Sequence, residues 1–166
     1  MLIEQVDELL LNYRNNLARC EFLTHDIPRL EKELGLKIKR MVEASVSLSP
    51  NLSGMPHGSS LSDPTGKLGT DIASGYKTEE VKALEEELCE KKKEMENKQY
   101  AVSVVDSLLK CLKEKELFVI EKKVIGGMSW NDLRFTYNRH FETTYTVAGL
   151  KYMKKLAMEQ LYAAAR

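Results

Sequence analysis

From Leu2 to Leu23, apolar residues recur at three- and four-residue steps (Leu2, Val6, Leu9, Leu10, Tyr13, Leu17, Cys20), the stripe of an amphipathic helix. Thr24-His25-Asp26 interrupts it. Asp26 carries the short acceptor side chain favoured at helix N-termini. Pro28 suits a first turn, where its missing N–H has no intrahelical partner. The pattern therefore predicts a second helix from about Ile27 to Val46, with Leu30, Leu34, Ile38, Met41 and Val42 on its apolar side. Gly35 weakens that helix by roughly 1 kcal/mol relative to alanine without having to break it.

Residues 47–77 differ in kind. They hold three of the four prolines and most of the glycines, and neither a helical nor a strand period is sustained there. An irregular loop or linker is expected, longer than the roughly 12–15 residues usual for a compact connection. Thr78 then caps a long helix whose first turn carries Glu79 and Glu80, which complement the positive end of the helix dipole. Val81, Leu88, Met95, Val102 and Leu109 fall seven apart, and Leu84, Lys91, Lys98, Val105 and Leu112 form the companion row. This is an a/d heptad frame with lysine at two d positions, and its apolar members are the candidate oligomerisation residues. The seam needs a partner, either residues 2–46 or a second copy of the chain, and periodicity does not choose between them.

Beyond the seam, Lys113–Ile125 reads as an amphipathic helix ended by Gly126-Gly127. Ser129 caps a short helix beginning WNDLRFTYN, and after a turn near Arg139–Glu142 a last helix carries TVAGLKYMKKLAMEQL. Three helices within about 50 residues, the last one basic, have the layout of a DNA-reading module. The expected inward residues are Leu117, Ile120, Val124 and Ile125 on the first helix. Trp130, Leu133 and Phe135 or Tyr137 serve the second, and Val147, Leu150, Leu156 and Leu161 the third. Outward, Thr143, Thr144, Tyr145 and Thr146 stand at the start of the candidate recognition helix, where hydroxyls and backbone N–H groups meet phosphate or base edges. Lys151, Lys154 and Lys155 continue that face, Arg134 and Arg139 flank it, and Tyr152, like Tyr145, suits a thymine methyl or a sugar. Gly149, inside the same helix, allows close approach of DNA or of a neighbouring helix.

Charge supports this division. The 166-residue chain is neutral overall, yet residues 113–166 carry ten Lys/Arg against six Asp/Glu, so a cationic segment is joined to an acidic remainder. The excess is modest, and tight DNA binding would need more than one copy. Cys20, Cys89 and Cys111 have no ligand spacing and read as free thiols of a reducing cytoplasm. No apolar run reaches the roughly 18–20 residues of a membrane span, and the first residues lack the pattern of a signal peptide. There is no nucleophile–base grouping, no phosphate-binding glycine loop and no metal-ligand spacing. Catalytic residues, metal and cofactor are therefore all expected to be absent.

The residues Leu112, Lys115, Glu116, Val119, Ile120, Gly127, Ser129, Trp130 and Leu133, with the later Thr146-Val147, resemble the helix-turn-helix of sigma-70 region 4. The order of a long helix, then Met55-Pro56-x-Gly58-Ser59, Asp63 and Thr65-Gly66-Lys67-Leu68, then another long helix is similar to the ArpU/RinA-like late-gene transcription activators of Gram-positive bacteriophages. The candidate recognition helix departs from the sigma pattern in its few arginines and in Gly149. The resemblance implies an all-α protein, a helical-hairpin or coiled-coil body with a C-terminal helix-turn-helix. Its expected segments are an N-terminal helical pair (1–46), a Gly/Pro/Ser-rich loop (47–77), a heptad helix (78–112) and a DNA-binding unit (113–166). It further implies a phage or prophage regulator that reads double-stranded DNA with residues 144–156, acts as a homo-oligomer (a dimer foremost) and has RNA polymerase as a possible further partner. The alternatives from sequence are a small terminase-like packaging subunit and a coiled-coil scaffold that binds no DNA.

Overall fold

In a computed structural model of the chain the described residues are 3–47 and 77–165. The expected loop, including His57 and the 55–68 motif, lies outside them apart from its two end residues. Every element among the described residues is helical, and none is a strand. In chain order they are α1 (Ile3–Ser47), α2 (Glu79–Leu109), α3 (Glu114–Val119, continued by a π-helical turn over Ile120–Ile125), α4 (Trp130–Phe141) and α5 (Val147–Ala164).

The N-terminal pair of helices expected over 1–46 is one helix, which runs through Thr24-His25-Asp26 and keeps Pro28 inside it. The local signals are real, but burial overrides them. Leu23, Ile27 and Leu30 are all buried, which favours continuing the helix by roughly 1.5–3 kcal/mol per fully buried side chain. Asp26 is not a cap. It is buried, accepts hydrogen bonds from Arg29 Nε (3.0 Å) and Nη2 (2.7 Å), and pairs with Lys91 of α2. The Lys91 hydrogen bond, then that of Arg29, hold its carboxyl below the usual carboxylate range. Lys91, a polar interruption of the heptad row, is thus the group that makes a carboxylate tolerable inside the helix pair.

Compactness divides the chain differently from the segments expected. One unit is Met1–Phe22 with Glu94–Arg166, and the other is Leu23–Lys93. In the second unit α1 and α2 run antiparallel, joined by Asp26–Lys91, Glu31–Lys92 (2.7 Å) and Lys37–Glu80 (3.2 Å). Val81 N–H donates to Thr78 Oγ1 (3.4 Å), so Thr78 caps α2 as expected.

In the first unit Tyr13 Oη donates to Asp106 Oδ1 (2.7 Å), and Arg19 grips both oxygens of Glu94 at 2.7 Å each. One core joins Val6 and Leu10 of α1, Val105, Leu108 and Leu109 of α2, and Leu112 just beyond it. Ile120 after α3, and Ala157, Met158 and Leu161 of α5, belong to the same core. A second, smaller core holds Val119, Leu133, Tyr137 and Leu150, flanked by Phe118, Trp130, Phe141 and Met153. The second core thus lies wholly within residues 113–166, while the first ties those residues to α1 and α2. Val81, Val105, Leu109 and Leu112 of the candidate oligomerisation row are buried within one chain, and Leu84, Leu88, Met95 and Val102 are half-buried.

Two phenols tie the first unit together. The hydrogen bond to Asp106, followed by burial, pushes Tyr13 up to about 12. Burial, followed by the 2.8 Å hydrogen bond from Tyr162 Oη to Asp7 Oδ1, does the same for Tyr162. A raised folded-state pKa stabilises the protein fully below the ordinary tyrosine value of about 10, and the contribution disappears as pH rises through 12. Urea unfolding measured across this window should show falling stability, and Tyr13→Phe and Tyr162→Phe should each flatten the fall. A wild-type profile level from pH 10 to 12 would refute the assignment.

Candidate nucleic-acid interface

The chain enters α4 through an unusual exit from α3. Gly126 N–H donates to the Glu121 carbonyl five residues back (2.8 Å), and Met128 N–H to the Lys122 carbonyl (3.0 Å). A Cβ on Gly126 would meet the Lys122 carbonyl oxygen at 2.8 Å, and Gly127 adopts φ of 68°, so both positions of the expected glycine stop need glycine. Ser129 caps α4 as expected: its Oγ accepts from Asp132 N–H (3.2 Å) and donates to Asp132 Oδ2 (2.5 Å).

Between α4 and α5 the turn is held by a side chain that sequence reading did not single out. Asn138 donates through Nδ2 to the Tyr145 carbonyl (2.9 Å), and its Oδ1 accepts from Tyr145 N–H (2.8 Å) and from Thr143 Oγ1 (3.3 Å). Glu142 supplies the left-handed residue of the turn (φ 50°). The only sequence signal was an asparagine, a frequent turn-former, one helical turn before the chain reverses. Thr146 then caps α5 by accepting from Gly149 N–H (3.2 Å). The Tyr145 ring stands edge-on to the buried Tyr137 (centroids 5.4 Å apart). A Cβ at Gly149 would lie 3.3 Å from Tyr145 Cδ1, so that glycine makes room for the chain's own tyrosine.

Helix α5 begins at Val147, so Thr143, Thr144 and Tyr145 belong to the turn and Thr146 to the cap. Thr144, Tyr145 and Thr146 are exposed, Thr143 half-buried. On α5, Lys151, Tyr152 and Lys155 are exposed and Lys154 half-buried, while Arg134 and Arg139 are exposed on α4. Tyr145, Gly149, Tyr152, Met153 and Leu156 share a groove of about 480 Å³ with Lys113–Glu116 before and within α3. Of the alternatives Phe135 and Tyr137, Tyr137 is the one in the core and Phe135 is 69% exposed, whereas Leu156, expected in the core, is 37% exposed. The buried stripe of α4 is Leu133 and Tyr137, one turn apart, and Phe135 is out of phase with it. That of α5 runs Leu150, Ala157, Met158 and Leu161, leaving Leu156 on the groove edge.

Ion pairs are concentrated on α1 and α2. On α1 and α2, Arg19, Arg29, Lys37, Lys39, Lys82, Lys91 and Lys92 lie within salt-bridge distance of carboxylates, whereas Arg14, Lys32, Arg40, Lys93 and Lys98 form no ion pair among the described residues. Among the described residues, Lys113, Lys115, Lys122, Lys123, Arg134, Arg139, Lys151 and Lys154 form none, and Lys155 reaches Glu159 only at 3.9 Å. Several of these cations lie over rings instead: Lys115 over Phe141, Lys122 over Phe118, and Lys123 and Lys151 over Trp130.

No protein-family model matches the chain, and no curated protein or solved structure matches it significantly. Among the described residues no helix is long and apolar enough to cross a membrane.

Asn138→Ala removes all three side-chain hydrogen bonds of the turn. Each net bond is worth about 1 kcal/mol, so a loss of roughly 1–3 kcal/mol is expected in urea denaturation. Amide exchange at Thr143 and Tyr145 should accelerate as well. Unchanged stability and exchange would show that the turn holds without Asn138.

Proposed function

We propose that this chain is a sequence-specific DNA-binding regulator of phage or prophage late genes, with α4 and α5 acting as a helix-turn-helix and residues 144–156 entering the major groove. The carrying observation is the clustering of Arg134, Arg139, Lys151 and Lys154, none with a carboxylate partner among the described residues, around the exposed Thr144 and Thr146 at the start of α5. Cations left unpaired beside exposed hydroxyls at a helix start suit a phosphate backbone, where binding is driven by counterion release. The turn adds rigidity, because Asn138 and the Tyr145–Tyr137 contact fix the segment that would meet base edges. The modest charge excess still calls for two copies on two half-sites. The dimer would use a surface other than the heptad row, whose apolar residues are wholly or partly covered within one chain.

Replacing Lys151, Lys154 and Lys155 together by alanine should weaken duplex binding. It should also lower the slope of log affinity against log salt by about 1 for each phosphate that is no longer neutralised. Fluorescence anisotropy with fragments recovered from host and phage genomic DNA measures both. Unaltered affinity and slope in the triple variant would reject the assignment.

A further inference from the structure

Trp130 stands where three elements meet. It opens α4, Lys123 approaches its ring from the π-helical turn after α3 (Nζ 5.0 Å from the ring centroid), and Lys151 does so from α5 (5.7 Å). Neither ammonium has a carboxylate partner among the described residues. Lys123 Nζ donates to the Met128 carbonyl (2.6 Å), which fixes its position and leaves its other N–H donors available. The placement depends on the widened turn, since Gly126 and Met128 bond back to Glu121 and Lys122 and so bring residues 122–128 around the ring. Such π-turns are rare and recur at functional sites. Two like charges held beside one indole repel each other, and an anion relieves that repulsion while the ring face keeps both cations oriented.

We infer that Lys123, Trp130 and Lys151 form a clamp for phosphates of a nucleic-acid backbone. This deepens the DNA-binding reading and rests on it for the source of the phosphates. It adds Lys123 and Trp130 to the interface and gives Lys151 the role of a positioned backbone contact. Recognition residues at 144–146 would then be set in register by a clamp on the far side of the α4–α5 turn. Phosphate contacts fix orientation in this way without reading sequence.

Trp130 is the single tryptophan of the chain, so indole emission reports this site alone. The experiment follows that emission in the full chain during titration with inorganic tripolyphosphate and, separately, with a labelled DNA duplex whose anisotropy reports binding. Saturable changes are expected with both ligands. Lys123→Gln and Lys151→Gln should each weaken tripolyphosphate binding by about tenfold, the scale of one charge-assisted hydrogen bond. Lys123→Arg should retain it, and Lys39→Gln, remote in sequence on α1, should leave it unchanged. Duplex binding with silent Trp130 emission, or full affinity in Lys123→Gln, would overturn the clamp while leaving the DNA-binding reading intact. No duplex binding at low salt would remove DNA as the source. A Lys123-dependent response to tripolyphosphate would then sustain the anion site, and its absence would overturn it.

Discussion

Helix α5 is held at both ends by different cores, and the geometry of the candidate interface depends on that arrangement. Leu150, in its first turn, packs with Val119, Leu133 and Tyr137, while Ala157, Met158 and Leu161 pack with Val6, Leu10 and Val105. A surface helix with one buried end can pivot; one buried at both ends presents a fixed face. Lys151, Tyr152 and Lys155 lie on the stretch between these anchors. Their direction is set by the burial of residues they do not touch, including two from the first turns of α1.

The two parts of the chain are held by different kinds of contact. The α1–α2 pairing relies on a thin apolar seam assisted by cross-helix ion pairs, of which Asp26 with Lys91 and Arg29 is the one that is buried. Exposed pairs such as Lys92–Glu31 add at most about 1 kcal/mol each. Around α3–α5 the packing is aromatic: Phe118 meets Tyr137, Phe141 and His140 at centroid distances of 5.8, 5.4 and 5.0 Å. Several lysines of this region lie over its rings rather than beside carboxylates.

Much of this architecture was legible in the sequence where a signal acts locally. Thr78, Ser129 and Gly126-Gly127 mark helix ends because each acts on groups only a few residues away. The heptad positions of α2 were legible as a seam because burial follows periodicity, although the partner was not. Legibility ends where a distant residue decides. Asp26 and Pro28 look like a helix start until Lys91 is brought opposite, and Tyr137 and Phe135 cannot be ranked until the direction of the core is known. Within the candidate site, the residue types exposed on α5 were readable. The pinning of Tyr145 by Asn138, the space made by Gly149, and the convergence of Lys123 and Lys151 on Trp130 were not, since each depends on contacts that the turns create.

The hydrogen bond from Tyr162 to Asp7 spans 155 residues of sequence, and the core around it joins Val6 to Leu161. Loops this long are slow to close, and their entropy is lost before any contact rewards it. On the ribosome, Val6 and Leu10 meet Val105, Leu108 and Leu109 once α2 has emerged, and Ala157, Met158 and Leu161 only later still. The first turns of α1 therefore present their apolar stripe to chaperones and to other nascent chains until α2, and then α5, have been made.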